Sequence, residues 1–296
     1  MEFEKISLKH KEKAEVHLCE TPYGISESSF TSLFLWGEVY HTEVAFEDGL
    51  MFVRVGEDGC FRYMMPMGNG DLHHGLSLVL EDAKKAGCEP RLIAVTDEMQ
   101  KRLESVAPDT FLYEEARDSF DYIYDPKELM TLSGKKFHQK KGHVNRFRKE
   151  YGDRFCYEAI TRENLADVIA FQEKWFQKNV ERRKSLEAEQ KMLQKLFTNY
   201  FDLGMIGGLL RVDGAVVAYS VGTRLCKQTM LVQVEKGDIA YHGVYQMINQ
   251  QFTEHNCADV TYLNREDDAG VEGLRKAKLS YQPIFLMRKY VAKWKQ

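Results

Sequence analysis

The sequence lacks any apolar run that approaches the ~18–20 residues a membrane-spanning helix requires. Its first residues, Met1 to Lys5, also lack the basic-then-apolar pattern of a signal peptide. Only six of the 296 residues are proline, and no tract has low complexity. That composition excludes a collagen-like chain and argues against extensive disorder. These absences predict a cytoplasmic protein without an integral membrane segment.

Cysteine is equally scarce, and its spacing excludes the usual cysteine-based sites. The six cysteines stand far apart and form no C-x-x-C pair, whereas zinc sites and redox pairs need closer ligands. His73 and His74 are adjacent, and neighbours on a chain rarely ligate one metal together. We therefore predict no metal site, and cysteines that are mostly small buried side chains in a reducing compartment. The cysteines are at positions 19, 60, 88, 156, 226 and 257.

Neither sign of charge dominates the chain. Forty-one Lys and Arg face forty-five Asp and Glu, for a formal net charge of −4, so the molecule as a whole is not a polyanion binder. The hydrophobic share of 44% is that of an ordinary globular protein. A length of 296 residues exceeds what one hydrophobic core usually supports, which favours two domains.

An internal repeat organises the chain. Asp48-Gly49 lies between two strand-like runs in the first half, and Asp213-Gly214 does so in the second, 165 residues later. A second strand, a glycine-containing turn, a helical stretch, a cysteine and an apolar run then follow in each half. The offset drifts only to 169 residues at Cys88 and Cys257, as small loop insertions in a duplicated domain would produce. The competing interpretation is a chance recurrence of common turn signals.

Each signal in the repeat has a local physical cause. An Asp-Gly pair between β-rich runs favours a tight hairpin, because both residues tolerate a positive φ. A turn that leads from a strand into an amphipathic helix and then another strand indicates a β–α–β crossover. In the second copy that helix is predicted from about Gly243 to Glu254, where Val244, Met247 and Phe252 share one face.

This order of elements is similar to that of the GCN5-related N-acetyltransferase (GNAT) fold. Residues 264–270 and 273–283 resemble the closing signature of the phosphatidylglycerol lysyltransferase C-terminal domain family, and residues 28–36 and 132–137 also resemble that family. The resemblance implies two tandem GNAT-like domains, related to FemABX-type aminoacyltransferases. Each would be a mixed, mostly antiparallel sheet with a splayed parallel strand pair and flanking helices. We place the domains at 1–125 and 155–296, joined by a basic helix at 126–154.

The resemblance also implies a transferase. The first expectation is direct transfer of an acyl group from a CoA thioester to an amine or hydroxyl acceptor, without a covalent enzyme intermediate or a metal. The alternatives are an aminoacyltransferase that uses aminoacyl-tRNA, and a non-catalytic binding module that kept the fold. In family members that modify lipids this domain accompanies a large membrane portion, which this sequence does not contain.

In the GNAT fold, the donor's pyrophosphate binds where the parallel strands part and the crossover helix begins. The resemblance places that loop from Lys236 to Val244. The chain departs there from the usual glycine-rich pattern of CoA binders, and an ordinary strand-to-helix turn explains the loop equally well. The candidate cofactor-binding residues are Lys236, Gly237, Tyr241, His242, Gly243 and Val244.

Two catalytic candidates flank the same loop. Glu235 stands where direct-transfer enzymes often hold a base, although a solvated strand-end glutamate is the competing interpretation. Asn264 follows the last parallel strand, where it would orient the donor. The tyrosine acid of CoA-dependent relatives would fall at Lys276. A dense charge cluster follows, and surface pairing or amino-acid binding would each account for it. The candidate substrate-binding residues are Arg265, Glu266, Asp267, Arg275 and Lys278.

Residues 135–154 form the one strongly basic segment. They carry eight Lys or Arg and two Asp or Glu, a local charge of +6 that leaves −10 for the remainder. Such a segment favours contact with a tRNA backbone or anionic headgroups. A solvated helix face is the alternative. Phe137, Val144 and Phe147 give the segment an apolar side that is expected to pack on the protein.

Overall fold

The computed structural model describes residues 1–18, 24–57, 59–179 and 183–295, without the side chains of 183–185. Cys19 lies outside these ranges, and the cysteines within them are free thiols. Among the described helices, none combines the length and apolar character needed to cross a bilayer. The chain forms two compact units that are discontinuous in sequence. The first contains residues 1–121, 267–275 and 286–296, and the second contains 122–266 and 276–285.

The first unit is built on a mixed sheet with the strand order β1-β2-β3-β4-β6-β15-β7, and β5 pairs with β3. Its strands are β1 (Glu4–Lys5), β2 (Glu43–Glu47), β3 (Leu50–Val55), β4 (Arg62–Met64), β5 (Met67–Gly68), β6 (Arg91–Val95), β7 (Phe111–Glu115) and β15 (Tyr290–Trp294). Its helices are α1 (Lys11–Leu18), α2 (Phe30–Leu35), α3 (Leu72–Ala86) and α4 (Asp97–Val106). Phe52, Tyr63 and Leu92 of the sheet pack with Leu76 and Val79 of α3 in its core.

The second unit carries a seven-stranded sheet with the order β14-β8-β13-β12-β11-β10-β9. Its strands are β8 (Asp121–Tyr124), β9 (Phe155–Ala159), β10 (Ile206–Val212), β11 (Ala215–Cys226), β12 (Thr229–Gly237), β13 (Tyr262–Asn264) and β14 (Phe285–Met287). Its helices are α5 (Pro126–Thr131), α6 (His138–Tyr151), α7 (Leu165–Lys178), α8 (Arg183–Thr198) and α9 (Val244–Asn256). Helix α10 spans Glu272–Leu279. Its residues up to Arg275 belong to the first unit, and those from Lys276 belong to the second.

The predicted repeat is present in both sheets. Asp48 and Gly49 have φ angles of 49° and 75°, and Asp213 and Gly214 have 51° and 80°, so both pairs turn their hairpins with positive φ. Each hairpin leads to a parallel pair flanking a helix, β4 with β6 around α3 and β12 with β13 around α9. The structure therefore confirms the hairpins and the crossovers.

The outer strands come from distant parts of the chain. The C-terminal strand β15 lies between β6 and β7 of the first sheet, antiparallel to both. Strand β8, from the middle of the chain, lies beside β13 in the second sheet. Each repeat unit thus has its sheet completed by strands outside the repeat.

The first unit also encloses a charged lysine. Lys289 is fully buried, and its Nζ lies 2.7 Å from Oδ1 of Asp121, which is also fully buried, and 2.5 Å from Oε2 of Glu27. The Ser26 amide donates to Asp121 at 2.7 Å. Burial alone would lower the pKa of Lys289, but the two carboxylates raise it above its ordinary value. The lysine therefore stays charged inside the unit.

Candidate active site

The parallel strands of the second sheet part early. Pairing between β12 and β13 runs only from Thr229 with Tyr262 to Leu231 with Asn264, while β12 continues to Gly237. Six residues of β12 therefore extend beyond the last paired position on that side. This is the splayed arrangement that the family resemblance implied.

Glu235 lies on this diverging stretch and is the centre of a polar cluster. Its Oε1 lies 3.0 Å from Nη2 of Arg265, and its Oε2 accepts a hydrogen bond of 2.9 Å from Asn249 of α9. The two charged side chains are only 11% and 12% exposed. Glu235 is therefore not the solvated strand-end carboxylate considered as an alternative.

Two buried tyrosines surround the guanidinium of Arg265. The carbon Cζ of Arg265 lies 4.8 Å from the ring centre of Tyr281 and 5.6 Å from that of Tyr124. Burial opposes the charge, but Glu235 and then Tyr124 and Tyr281 raise the pKa of Arg265 above its ordinary value. Burial also raises the pKa of both tyrosines, so their hydroxyls stay neutral.

Two lysines complete the cluster. Nζ of Lys140, on α6, lies 4.1 Å from the ring centre of Tyr281. Burial and then the charge of Arg265 lower the pKa of Lys140, and Glu235 opposes that shift. Nζ of Lys278 donates to the carbonyl oxygen of Arg265 at 2.5 Å. The cluster thus holds one carboxylate and several cations around an aromatic wall.

Several buried polar atoms in this cluster have unused hydrogen-bonding capacity. Among the described residues, Nη1 of Arg265, Oδ1 of Asn249 and Oγ of Ser220 are buried without a hydrogen-bond partner. Ser220 is the cross-strand partner of Glu235, so its side chain lies on the same face of the sheet. Unsatisfied buried groups are rare in folded proteins because each costs ~1–3 kcal/mol. Near Glu235, Nη1 of Arg265 is thus an unused donor and Oδ1 of Asn249 an unused acceptor, and the hydroxyls of Ser220 and Tyr281 can act as either.

The start of α9 lies against helix α6. Gly243 precedes the helix with φ 84°, and a Cβ built on it would lie 2.4 Å from the carbonyl oxygen of His143. Nδ1 of His143 lies 3.2 Å from Nε2 of His242. Helix α6 therefore packs its backbone against Gly243. The glycine is accounted for by a close helix approach as well as by its positive φ.

We predict that Gly243→Ala lowers the free energy of unfolding by roughly 1–3 kcal/mol, because the methyl group meets the His143 carbonyl and the backbone is left-handed. Urea unfolding measures this. Gly142→Ala on the facing helix is the control, since nothing lies within 4 Å of its added Cβ. That variant should gain roughly 0.5–1 kcal/mol from helix propensity. Equal stability of Gly243→Ala and the wild type would contradict the packing described.

Lys236 and Gly237 belong to strand β12, not to the loop in which the sequence placed them. Nζ of Lys236 lies 2.6 Å from Glu189 and 4.3 Å from the ring centre of Trp175, on the opposite face of the sheet from Glu235. The carbonyl of Gly237 accepts from the Trp175 indole at 3.1 Å. Of the remaining loop residues, Val244 is buried at the helix start and the Tyr241 ring lies 5.5 Å from that of Tyr151.

Comparisons with known proteins identify the family and the fold of the chain. The sequence profile described as "Phosphatidylglycerol lysyltransferase, C-terminal" matches residues 21–293. The chain belongs to this family. A conserved protein of unknown function from Bacteroides thetaiotaomicron is 35% identical over 99% of both chains, with a TM-score of 0.93. The structure of L-PGS from Bacillus licheniformis is 16% identical, covers 95% of this chain and 91% of its own, and has a TM-score of 0.66.

The fold of this phosphatidylglycerol lysyltransferase C-terminal family member is a tandem GNAT fold, as the sequence predicted. A tandem GNAT protein of the clavulanic acid pathway matches over 99% of this chain and 98% of its own, at 11% identity and a TM-score of 0.50. An uncharacterized protein of Mycoplasmoides gallisepticum is 29% identical over 59% of the chain. The match spans 56% of the length of that curated relative.

The closing signature of the family has a structural role beside the site. Oδ1 of Asn264, at the end of β13, accepts the backbone N–H of Glu266 at 2.8 Å, and Oδ1 of Asp267 accepts that of Ala269 at 3.1 Å. Both side chains therefore hold the turn that follows Arg265. The Glu266 carbonyl accepts the amide of Tyr122 at 3.2 Å.

Arg275 belongs to the first unit, where it surrounds a buried carboxylate. Its Nε and Nη2 bind Asp268 at 2.8 and 2.9 Å, and Nη2 also binds Asp118 at 2.7 Å. Arg117 reaches the same Asp268 at 3.2 Å. Arg275 thus has two carboxylate partners in the first unit and does not join the Glu235 cluster of the second.

The corresponding loop of the first repeat is filled by its own hairpin. A Cβ on Gly70 would lie 2.2 Å from the Asp48 carbonyl oxygen, and one on Gly68 would lie 2.4 Å from that of Gly49. These glycines therefore serve packing in the first copy. No group of three potential metal ligands occurs in the described residues.

Sequence reasoning named Glu235, Arg265 and Lys278 but missed three members of the cluster: Ser220, Asn249 and Lys140. Two of them leave a signal in the sequence. Asn249 is a polar residue beside the apolar stripe of α9, and Ser220 interrupts the apolar strand β11; both are buried. Such residues mark either a structural hydrogen bond or a site. Lys140 was hidden among seven other basic residues of the segment 135–154.

Proposed function

We propose that this chain transfers an aminoacyl group from aminoacyl-tRNA to an amine or hydroxyl acceptor by direct attack. The observation that supports the proposal is the cluster around Glu235 in the strand splay. In this cluster Glu235 pairs with Arg265, whose guanidinium keeps an N–H without a hydrogen-bond partner. The amide oxygen of Asn249 and the hydroxyl of Ser220 also have no partner. An aminoacyl ester offers a carbonyl oxygen to such a donor and an ammonium group to such acceptors.

The residues have defined roles in this proposal. The acceptor oxygen or nitrogen attacks the ester carbonyl carbon, and Glu235 takes the proton that the acceptor loses. Nη1 of Arg265 donates to the carbonyl oxygen as it becomes negative. When the bond to the ribose oxygen breaks, Glu235 returns the proton to that oxygen. Asn249 positions Glu235 through its 2.9 Å hydrogen bond.

The packing at α9 favours aminoacyl-tRNA over the CoA thioester expected first. A CoA pyrophosphate would need the backbone at Gly243 to be approachable, and α6 is already packed there. Lys236, the cation assigned to that anion, is paired with Glu189 on the other face of the sheet. The name of the family refers to a lysyltransferase, which is an aminoacyl donor chemistry. A CoA thioester as the donor stays a prediction, and the experiment described next tests it as well.

The test compares charged with uncharged tRNA. One tRNA is prepared with and without its amino acid, and binding is measured by filter retention at fixed salt. We expect the charged form to bind at least tenfold more tightly, and label to move to an added amine or phosphatidylglycerol vesicles. Equal binding of both forms, together with stabilisation by CoA in a thermal-shift assay, would replace this donor with a thioester. Preferential binding without transfer to any acceptor would support the binding module.

Helix α6 is the surface proposed for the tRNA backbone. Lys141 and Lys149 are exposed on it. We expect Lys141→Glu with Lys149→Glu to weaken tRNA binding by at least tenfold, and to reduce the slope of log affinity against log salt by ~0.7–0.9 for each phosphate that is no longer neutralised. Lys227→Glu, exposed on the β11–β12 turn, is the control for charge reversal. An unchanged slope in the double variant would remove α6 from the tRNA surface.

A further inference from the structure

The cluster around Glu235 carries more positive than negative charge. Lys140 and Arg265 face the same Tyr281 ring, at 4.1 and 4.8 Å from its centre. Lys278 is bonded to the Arg265 carbonyl. Glu235 is the one carboxylate bonded to Arg265 among the described residues, and Asn249 shares it. A ligand that enters this cluster therefore meets a local excess of cations.

Lys140 contacts the cluster through the ring of Tyr281. Within the described residues its Nζ forms no ion pair, and its contact is the face of Tyr281. The two distances to the shared ring place Nζ at most about 9 Å from Cζ of Arg265, close to the Debye length of ~8 Å at physiological salt. An aminoacyl group whose carbonyl contacts Arg265 would therefore have its side chain within the range of the Lys140 charge.

We propose that Lys140 is a specificity-determining residue that makes this site reject aminoacyl groups with a cationic side chain and accept those with an uncharged or acidic one. The inference rests on the proposed function, and it sets this chain apart from the lysyl specificity in the family's name. A lysyl group would bring a second ammonium beside Lys140 and Arg265. The depressed pKa of Lys140 already reflects repulsion from Arg265 after burial.

The experiment uses two amides with the same carbon chain. Lysinamide and norleucinamide differ only in the terminal ammonium, and both retain the α-ammonium and the carbonyl. Calorimetry of the whole chain is expected to show norleucinamide binding at least tenfold more tightly than lysinamide. Lys140→Met, which keeps an unbranched side chain over Tyr281, should bring the two affinities within about threefold of each other. Lys227→Met, exposed on the β11–β12 turn, should retain the wild-type ratio.

The outcomes separate the inference from the function it rests on. Lysinamide binding as tightly as norleucinamide to the wild type, or an unchanged ratio in a folded Lys140→Met protein, would overturn the specificity role alone. If the amides bind too weakly for calorimetry, the ratio of affinities is measured instead with one tRNA charged either with lysine or with norleucine. Absence of binding by both amides, with no preference for charged over uncharged tRNA, would overturn the proposed function and this inference together.

Discussion

Glu235→Gln is expected to reduce aminoacyl transfer by about 10²–10⁴-fold, because the amide has nearly the same shape but cannot accept the proton from the acceptor. It also removes the negative partner of Arg265, whose Nη2 lies 3.0 Å from Oε1. The rate is measured as label moved from charged tRNA to the acceptor in a single turnover, which separates chemistry from product release.

The matched control is Glu254→Gln, which neutralises an exposed carboxylate on α9 and should leave the rate unchanged. Arg265→Met should lower the rate by roughly 10²–10³-fold, as expected when a donor to a developing oxyanion is removed. A folded Glu235→Gln protein that retains more than a third of the wild-type rate would show that Glu235 is not the base.

Lys289→Met is expected to lower the free energy of unfolding by roughly 3–5 kcal/mol, the cost of leaving a buried carboxylate without its partner. Lys289 and Asp121 are both 0% exposed on their side chains, and Nζ is 2.7 Å from Oδ1. Without the lysine, the buried Asp121 carboxylate loses its ion pair, and the negative Glu27, which is 29% exposed, remains near it. Urea unfolding followed by circular dichroism measures the change.

Lys293→Met provides the comparison within the same terminal segment. Lys293 also has a carboxylate partner, Glu114, at 2.6 Å, but the two side chains are 33% and 61% exposed. Exposed pairs contribute about 0–1 kcal/mol, so this variant should unfold close to the wild type. If both lysine variants lose equal stability, burial is not what makes the Lys289 network important.

The elements that the sequence predicted well are those with a local cause. Asp48-Gly49 and Asp213-Gly214 turn tightly because aspartate and glycine tolerate positive φ. The predicted helix at 243–254 forms as α9 over Val244–Asn256, because its apolar residues recur at helical spacing. The positions of the outer strands in the sheets had no such local signal. Nothing local in Tyr290–Trp294 states that this strand pairs with β6 and β7, more than 170 residues earlier in the chain.

The candidate site divides in the same way. The family resemblance and the position at a strand end pointed to Glu235 and Arg265. The structure adds that these two residues pair, that Asn249 and Ser220 lie beside them, and that Lys140 lies over Tyr281. These contacts depend on which faces meet when α6 and α9 pack. Gly243 shows the limit most clearly. The family resemblance left an anion loop and an ordinary turn open at this glycine, and no local signal indicated that the His143 backbone would lie against it.

The sequence by itself determined the duplicated order of hairpin, parallel pair and crossover helix, since turn chemistry and hydrophobic periodicity act over a few neighbouring residues. The family resemblance of the sequence also pointed to a carboxylate near the end of one splayed strand and an arginine just after the other. The tertiary structure alone decided that they form a buried pair, that α6 lies against the start of α9, and that a lysine enters the cluster. These contacts join residues from 30 to more than 100 positions apart. They depend on how whole faces pack, and no short stretch of sequence encodes that.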